Sequence, residues 1–263
     1  MGKQFKDKVV VITGASAEGG IGWCTAERFA EEGARVIVAA RNLAEVERLA
    51  RKIGGQALRC DVSKEADVIA VAEAGKALGG IDIAVNSAGK LGMAMVANFE
   101  QAALEESMAI NFYGNLYFFR HMAAAMPRGG SMASIASITV TQVVPSQLLY
   151  ACAKSATVTA ARYAAHEYAP KGIRVNMLIP GLVDTPLVAP LTKNPAMLAP
   201  WLKESPLHRI CEPDEIANTL LWLAASPSVT GTSILIDGGI GLRRPPQLDE
   251  FPFVDYAKDE AAR

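Results

Sequence analysis

Seven short apolar runs, rich in small and β-branched residues and separated by helix-like stretches, leave this chain few folds to choose from. The runs are Lys8–Thr13, Arg35–Ala39, Ala57–Cys60, Ile81–Asn86, Ser131–Ile135, Arg174–Ile179 and Ser233–Ile236. Between the first two, Ile21, Cys24, Thr25, Arg28 and Phe29 recur at helical intervals over Ile21–Glu32, and Gly33 ends that helix. Strand–helix alternation of this kind predicts a parallel sheet with helices on both faces. Val9–Ile12 and Val36–Ala40 are almost unbroken in apolar character, as strands covered on both sides must be. The 263 residues suit one large α/β unit. No linker divides them, and no repeat of about 20–50 residues recurs.

Composition narrows the function. The chain is 51% hydrophobic with mean hydropathy +0.19, enough for a sizeable core. Its 26 basic and 27 acidic residues nearly cancel, and no basic block stands out. Nucleic acid and anionic membranes are therefore not the expected partners. No run reaches the ~18 apolar residues of a membrane span. Met1-Gly2-Lys3 leads almost directly into a strand, leaving no room for a signal peptide, and Lys6 stands where a myristoylation motif wants Ser or Thr. A cytoplasmic protein is expected. Cys24, Cys60, Cys152 and Cys211 lack paired or metal-like spacing and read as lone buried thiols. His121, His166 and His208 are scattered, so no metal site is expected.

Two regions break the alternation. Residues 182–206 carry five prolines and many large apolar side chains, which reads as an irregular lid over a substrate. The tail after Gly241 has no clear period; Phe251, Phe253 and Tyr256 would gain from docking on the subunit or a neighbour, and a frayed terminus is the alternative. The expected organisation is a dinucleotide-binding and catalytic domain over 1–241 and a C-terminal extension over 242–263.

The segment T-G-A-S-A-E-G-G-I-G, Thr13 to Gly22, joins the first strand to its helix. Backbone N–H groups and the helix dipole at such a junction suit a pyrophosphate. Gly14, Gly20 and Gly22 are the candidates for close approach, although the spacing departs from G-x-G-x-x-G and a plain turn remains the alternative. At the end of the second strand an NAD enzyme would place an acid to read the ribose. Here Ala40-Arg41 follows instead. A guanidinium can fork onto a 2′-phosphate, which points to NADP(H), with NAD(H) or a merely solvated arginine as alternatives. Glu18, an acid in the same loop, is discordant.

Tyr150 and Lys154 are spaced i, i+4, so they share a helix face, and Ser137 lies thirteen residues earlier, just past a strand. A phenol, with a reference pKa of about 10, would need the neighbouring ammonium and the positive nicotinamide of an oxidised cofactor to favour phenolate. Tyr150 could then exchange a proton with a substrate oxygen that Ser137 polarises, while hydride moves at the adjacent carbon.

Together these residues resemble the short-chain dehydrogenases/reductases of the Y-x-x-x-K type. The likeness runs from Lys8 to about Gly239. It rests on T-G-A-S-A-E-G-G-I-G, C-D-V at 60–62, N-S-A-G at 86–89, Asn111, Ser137, Tyr150/Lys154, P-G-L-V-D-T at 180–185 and the final I-D-G-G. The resemblance implies a single-domain Rossmann-type, doubly wound parallel sheet of about seven strands. It implies that Lys154 also binds the nicotinamide ribose and that Asn111 holds a water relaying protons to Lys154. Ser16 and Ile21 would join the glycines around the pyrophosphate, and Asp61 and Val62 would flank the adenine. Asn86, Ala88 and Gly89 would line the cleft, with Pro180, Gly181, Val183 and Thr185 against the carboxamide. It also implies a homotetramer or dimer built on Asn111–Met126 and Tyr150–Tyr168.

Departures from the family pattern are Ser87 for a second Asn, Cys152 between Tyr150 and Lys154, Cys211 in R-I-C-E-P where the family has Gly, and two extra residues between Ser16 and Gly20. Leu91–Phe99, Thr139–Leu149 and 182–206 are the expected pocket segments. They offer Met93, Met95, Val96, Val140, Val143, Val144, Leu148, Leu187, Met197 and Trp201. Such a lining predicts a hydrophobic alicyclic or aromatic ketone or its secondary alcohol. An enoyl-thioester reductase would need a tyrosine where Gln147 stands. A 3-oxoacyl-thioester (acyl carrier protein) reductase fits the catalytic spacing, but no basic cluster offers to dock an acidic carrier. A non-catalytic nucleotide sensor would tend to lose the tyrosine or lysine kept here.

Overall fold

The computed structural model describes residues 3–251. The expected docking of Phe253 and Tyr256 lies outside the described residues. Seven strands form one parallel sheet: β1 Val9–Thr13, β2 Arg35–Ala40, β3 Gln56–Arg59, β4 Ile83–Asn86, β5 Gly130–Ile135, β6 Ile173–Pro180 and β7 Ser233–Ile236. Their order across the sheet is β3-β2-β1-β4-β5-β6-β7, a Rossmann-type fold. The chain starts in the middle at β1 and winds outward in both directions, so the connections on either side of the β1–β4 boundary diverge. A crevice opens there, at the carboxyl ends of the strands.

The period-2 alternation of strands feeds two cores at once. Val9 and Val11 of β1 face one cluster, and Val10 and Ile12 face the other. The first cluster is closed by α3 (Glu65–Ala77), α5 (Gly114–Ala124) and α6 (Leu148–Tyr168), through Val68, Phe118, Met122 and Ala161. The second is closed by α1 (Ile21–Glu31), α2 (Leu43–Ile53) and α9 (Pro213–Ala225), through Trp23, Phe29, Leu49 and Leu220. Helix α1 ends as the sequence predicts, with Gly33 at φ +87 just past its cap.

Three expectations are corrected. Ile81 and Asp82 precede β4 rather than belonging to it: the Asp82 carboxylate caps the sheet's lower edge, accepting from the Val9 amide at 2.9 Å and from Lys8 Nζ at 3.1 Å. The segment 182–206 is mostly helical, with a 3-10 turn at Pro186–Val188, α7 (Ala189–Thr192) and α8 (Pro195–Glu204). Its prolines explain this, because most occupy first-turn positions, where a missing N–H costs nothing. Third, the helix expected over Asn111–Met126 begins within a π-helical turn, Ala109–Tyr113, that joins α4 (Gln101–Met108) to α5, and it ends at Ala124.

A chain of buried amides crosses this region. Thr13 Oγ1 donates to Asn86 Oδ1 (2.7 Å), Asn86 Nδ2 to Asn115 Oδ1 (2.9 Å), and Ser134 Oγ to the same Asn115 oxygen (2.6 Å). Asn115 Nδ2 in turn donates to the Asn111 carbonyl at 2.8 Å. Truncating Asn115 would leave the buried Asn86 Nδ2 without a partner, at about 1–3 kcal/mol, and would take one of two bonds each from the Ser134 hydroxyl and the Asn111 carbonyl. Asn115→Ala is therefore expected to lower unfolding free energy by about 2–4 kcal/mol, read from the shift in denaturant midpoint at unchanged slope.

Candidate active site

A cleft of about 510 Å³ lies across the carboxyl ends of β1 to β4. Of the residues expected to hold cofactor, Gly14, Ser16, Gly20, Ile21, Arg41, Asp61, Val62, Ala88, Gly89 and Thr185 line it. Gly14 has φ +78, and a Cβ there would sit 2.3 Å from the Ala88 backbone nitrogen, so only glycine lets these two loops meet. Helix α1 opens at Gly20 with no side-chain cap and no acid in its first turn. Its leading N–H groups are thus left for an anion. Those features fit a dinucleotide pyrophosphate.

Arg41 is exposed at the far end of the cleft and makes no ion pair or hydrogen bond among the described residues. Asp61 is turned to Ser63, accepting from its N–H at 3.1 Å and its hydroxyl at 2.7 Å. Partial burial pushes the Asp61 pKa up, but the Ser63 bonds and the Arg41 charge carry it below the usual carboxylate value.

The residues expected to carry the chemistry do not line this cleft and lie beyond Gly89. Lys154 is buried on α6, and its Nζ donates to the Ile135 carbonyl at 2.7 Å. Ile135 ends β5, so this bond ties α6 to the turn carrying Ser137, which caps the short helix Ile138–Val140. One turn before Lys154, the Tyr150 ring centroid lies 5.4 Å from Nζ. Asn111, in the π-helical turn, is fully buried. Its side chain accepts from the Lys90 amide (3.1 Å) and donates to the Lys90 carbonyl (2.9 Å). A Cβ on Gly89 would come 3.3 Å from Asn111 Oδ1 and 3.5 Å from Lys154 Nζ. The bare Gly89 backbone therefore joins the nucleotide cleft to the Lys154 side of the site.

The family model described as enoyl-(acyl carrier protein) reductase matches residues 14–241. A 2,5-dichloro-2,5-cyclohexadiene-1,4-diol dehydrogenase of Sphingobium indicum is 37% identical over 243 residues, covering 88% of this chain and 96% of that one. A glucose 1-dehydrogenase of Gluconobacter oxydans is 36% identical, covering 91% and 94%. A short-chain type dehydrogenase/reductase from Mycobacterium ulcerans superposes with TM-score 0.91 at 28% identity, covering 97% of both chains. The chain belongs to the short-chain dehydrogenase/reductase family. As a family member it is an oxidoreductase of alcohol and ketone groups, in a family that uses nicotinamide dinucleotides.

Within this short-chain dehydrogenase/reductase, several expected contacts fall elsewhere. Asn86 and Gly22 support the cleft from behind: Asn86 belongs to the amide chain, and a Cβ on Gly22 would strike the Gly14 carbonyl at 2.6 Å. Pro180 ends β6, Gly181 just past it donates its N–H to the Ile236 carbonyl, and Val183 is buried in a bridge with Cys211. Cys211 thus closes that bridge, with its Sγ 3.3 Å from the Ile236 carbonyl oxygen. Cys60 and Cys211 are buried, Cys24 is half-buried, and Cys152 is exposed, correcting the expectation of four buried thiols. Burial pushes the Cys60 thiol up to about 12. Val144 and Trp201, expected in the substrate pocket, instead pack with Ile138 and Ile240 in a third apolar cluster. Met93, Met95, Val96, Val143 and Leu187 are exposed, and Leu187 lines the cleft. Asn42, Cys60 and Ile110 also line it and were not expected. Only Cys60, in C-D-V, carried a sequence signal.

The neighbouring ammonium by itself does not lower the Tyr150 pKa. Burial pushes the phenol up, and it pushes the Lys154 ammonium down to about 8. Lys154 therefore loses its proton before Tyr150 as pH rises. In the cofactor-free protein, the wild-type minus Tyr150→Phe ultraviolet difference spectrum is expected to show no phenolate band below about pH 10. A band appearing near neutrality would contradict this order.

Proposed function

We propose that the chain is an NADP(H)-preferring oxidoreductase that interconverts a hydrophobic alicyclic or aromatic ketone and its secondary alcohol. The observation that carries this reading is the meeting of Lys154, Tyr150 and the Ser137 turn beside Gly89, where cleft and buried ammonium adjoin. When bound, the nicotinamide supplies or accepts hydride at the carbinol carbon. The Ser137 hydroxyl holds the substrate oxygen, and Tyr150 gives that oxygen its proton in reduction or removes it in oxidation. Lys154, fixed on the Ile135 carbonyl, places its charge near the ring, where it stabilises the phenolate left on Tyr150. Asn111 holds the water through which Lys154 exchanges protons with solvent.

The guanidinium of Arg41, unpaired among the described residues and with no acid beside it on β2, supports NADP(H) over NAD(H). Exposed Met93, Met95, Val96 and Leu187 support an apolar substrate, and segment 182–206 is its lid. The dichlorocyclohexadienediol dehydrogenase similarity agrees with a carbocyclic substrate. Lys90, beside the cleft, is already paired with Glu106 and so is not offered to an acidic carrier protein. Exposed Tyr113, Leu116 and Tyr163 support a homo-oligomer, tetramer or dimer, built through α5 and α6, and free cysteines support a reducing, cytoplasmic setting.

Turnover with NADPH and NADH across cyclic ketones, aromatic ketones, glucose and a 3-oxoacyl thioester tests the reading. Fast reduction of cyclic ketones is expected; cofactor binding without turnover of any member would indicate a sensor. Tyr150→Phe should lower kcat by at least about a hundredfold while leaving the cofactor Kd within a few-fold. Arg41→Ala should weaken NADPH by about tenfold, ~1.4 kcal/mol, and barely change NADH. Equal losses for the two cofactors would remove the case for NADP(H).

A further inference from the structure

The extra residues of the glycine loop carry a carboxylate, Glu18, to the adenosine end of the cleft. Its neighbours Ala17 and Gly20 line the cleft together with Arg41 and Asn42. Left free, an acid here would oppose a 2′-phosphate. It is not free: Glu18 Oε2 lies 2.9 Å from Arg48 Nη2 on α2.

Arg48 is itself held from two other directions. Its Nε and Nη2 both donate to Glu45 Oε2, at 3.1 and 2.8 Å. Its guanidinium lies 4.5 Å from the centroid of the buried Trp23 ring. Glu45 is anchored in turn, because its amide donates to Asn42 Oδ1, the cap of α2 (3.4 Å). An exposed ion pair usually contributes little, since two long side chains must be ordered to make it. Here Arg48 is ordered in advance, and only Glu18 remains to be captured.

We infer that Arg48 is a positioning residue for cofactor specificity: it draws Glu18 away from the ribose 2′ position and leaves Arg41 as the charge a 2′-phosphate meets. The inference rests on the NADP(H) reading. Without Arg48, Glu18 would act against NADP(H) in two ways. It would repel a 2′-phosphate, and it could accept a hydrogen bond from the ribose hydroxyl of NAD(H), as the acid of NAD sites does. Gly19, next in the loop, sits at φ +72 with nothing packed against its missing side chain.

The test is a set of fluorescence titrations of the intact protein with NADPH and with NADH. Arg48→Met removes the charge and keeps an unbranched stem over Trp23. Screening at the surface limits the effect, so NADPH should weaken by about fivefold, while NADH is unchanged or tightens. Adding Glu18→Gln to Arg48→Met should return NADPH affinity to near wild type, whereas Glu18→Gln alone should change little. Equal weakening of both cofactors, or a double variant as weak as Arg48→Met, overturns the role of Arg48 while leaving the NADP(H) reading standing. Wild-type protein that binds NADH as tightly as NADPH overturns the NADP(H) reading itself.

Discussion

The main-chain carbonyl of Asn111 is where the helices on one side of the sheet are locked to each other. It accepts from Thr157 Oγ1 on α6 at 2.7 Å and from Asn115 Nδ2 on α5 at 2.8 Å. Through Asn115 the same bonds continue to Asn86 and Ser134 at the ends of β4 and β5, and then to Thr13 on β1. These atoms are buried, so each is costly to leave unpaired and the members support one another. The network therefore fixes where the strand ends, the π-helical turn and α6 lie relative to one another. Cleft and chemistry-bearing residues both hang from it.

Against that rigid frame the site keeps a group that burial disfavours. Lys154 carries an ammonium in a place that pushes its pKa down to about 8. The Ile135 carbonyl and the Tyr150 ring face offset part of that penalty. The neighbouring phenol is shifted in the opposite sense by the same cause, desolvation. Two groups whose ordinary values nearly coincide are thus driven apart, the usual sign of an acid–base pair set by its surroundings.

Much of this was legible in advance. The strands lie close to where apolar runs predict them, because a strand covered on both faces must be apolar throughout. The cleft-lining glycines were legible because backbone contact excludes a Cβ, as Gly14 shows against Ala88. Val144 and Trp201 were misread for a physical reason: an apolar side chain in a proline-rich segment suits a substrate pocket and a packed cluster equally well. Asn115 gave no signal, since its role depends on partners in β4 and β5 that only folding brings to it.

The order of strands and helices, the glycine loop after β1, and the i, i+4 spacing that sets Tyr150 and Lys154 on one helix face all follow from the residue pattern. All three depend on local periodicity and backbone freedom. Which groups are left free to act depends on how the folded chain pairs them. The tertiary structure pairs Glu18 with Arg48, leaves Arg41 without a partner among the described residues, and brings Gly89 against Asn111 and Lys154. Those outcomes depend on distances between segments far apart along the chain, which no local pattern encodes.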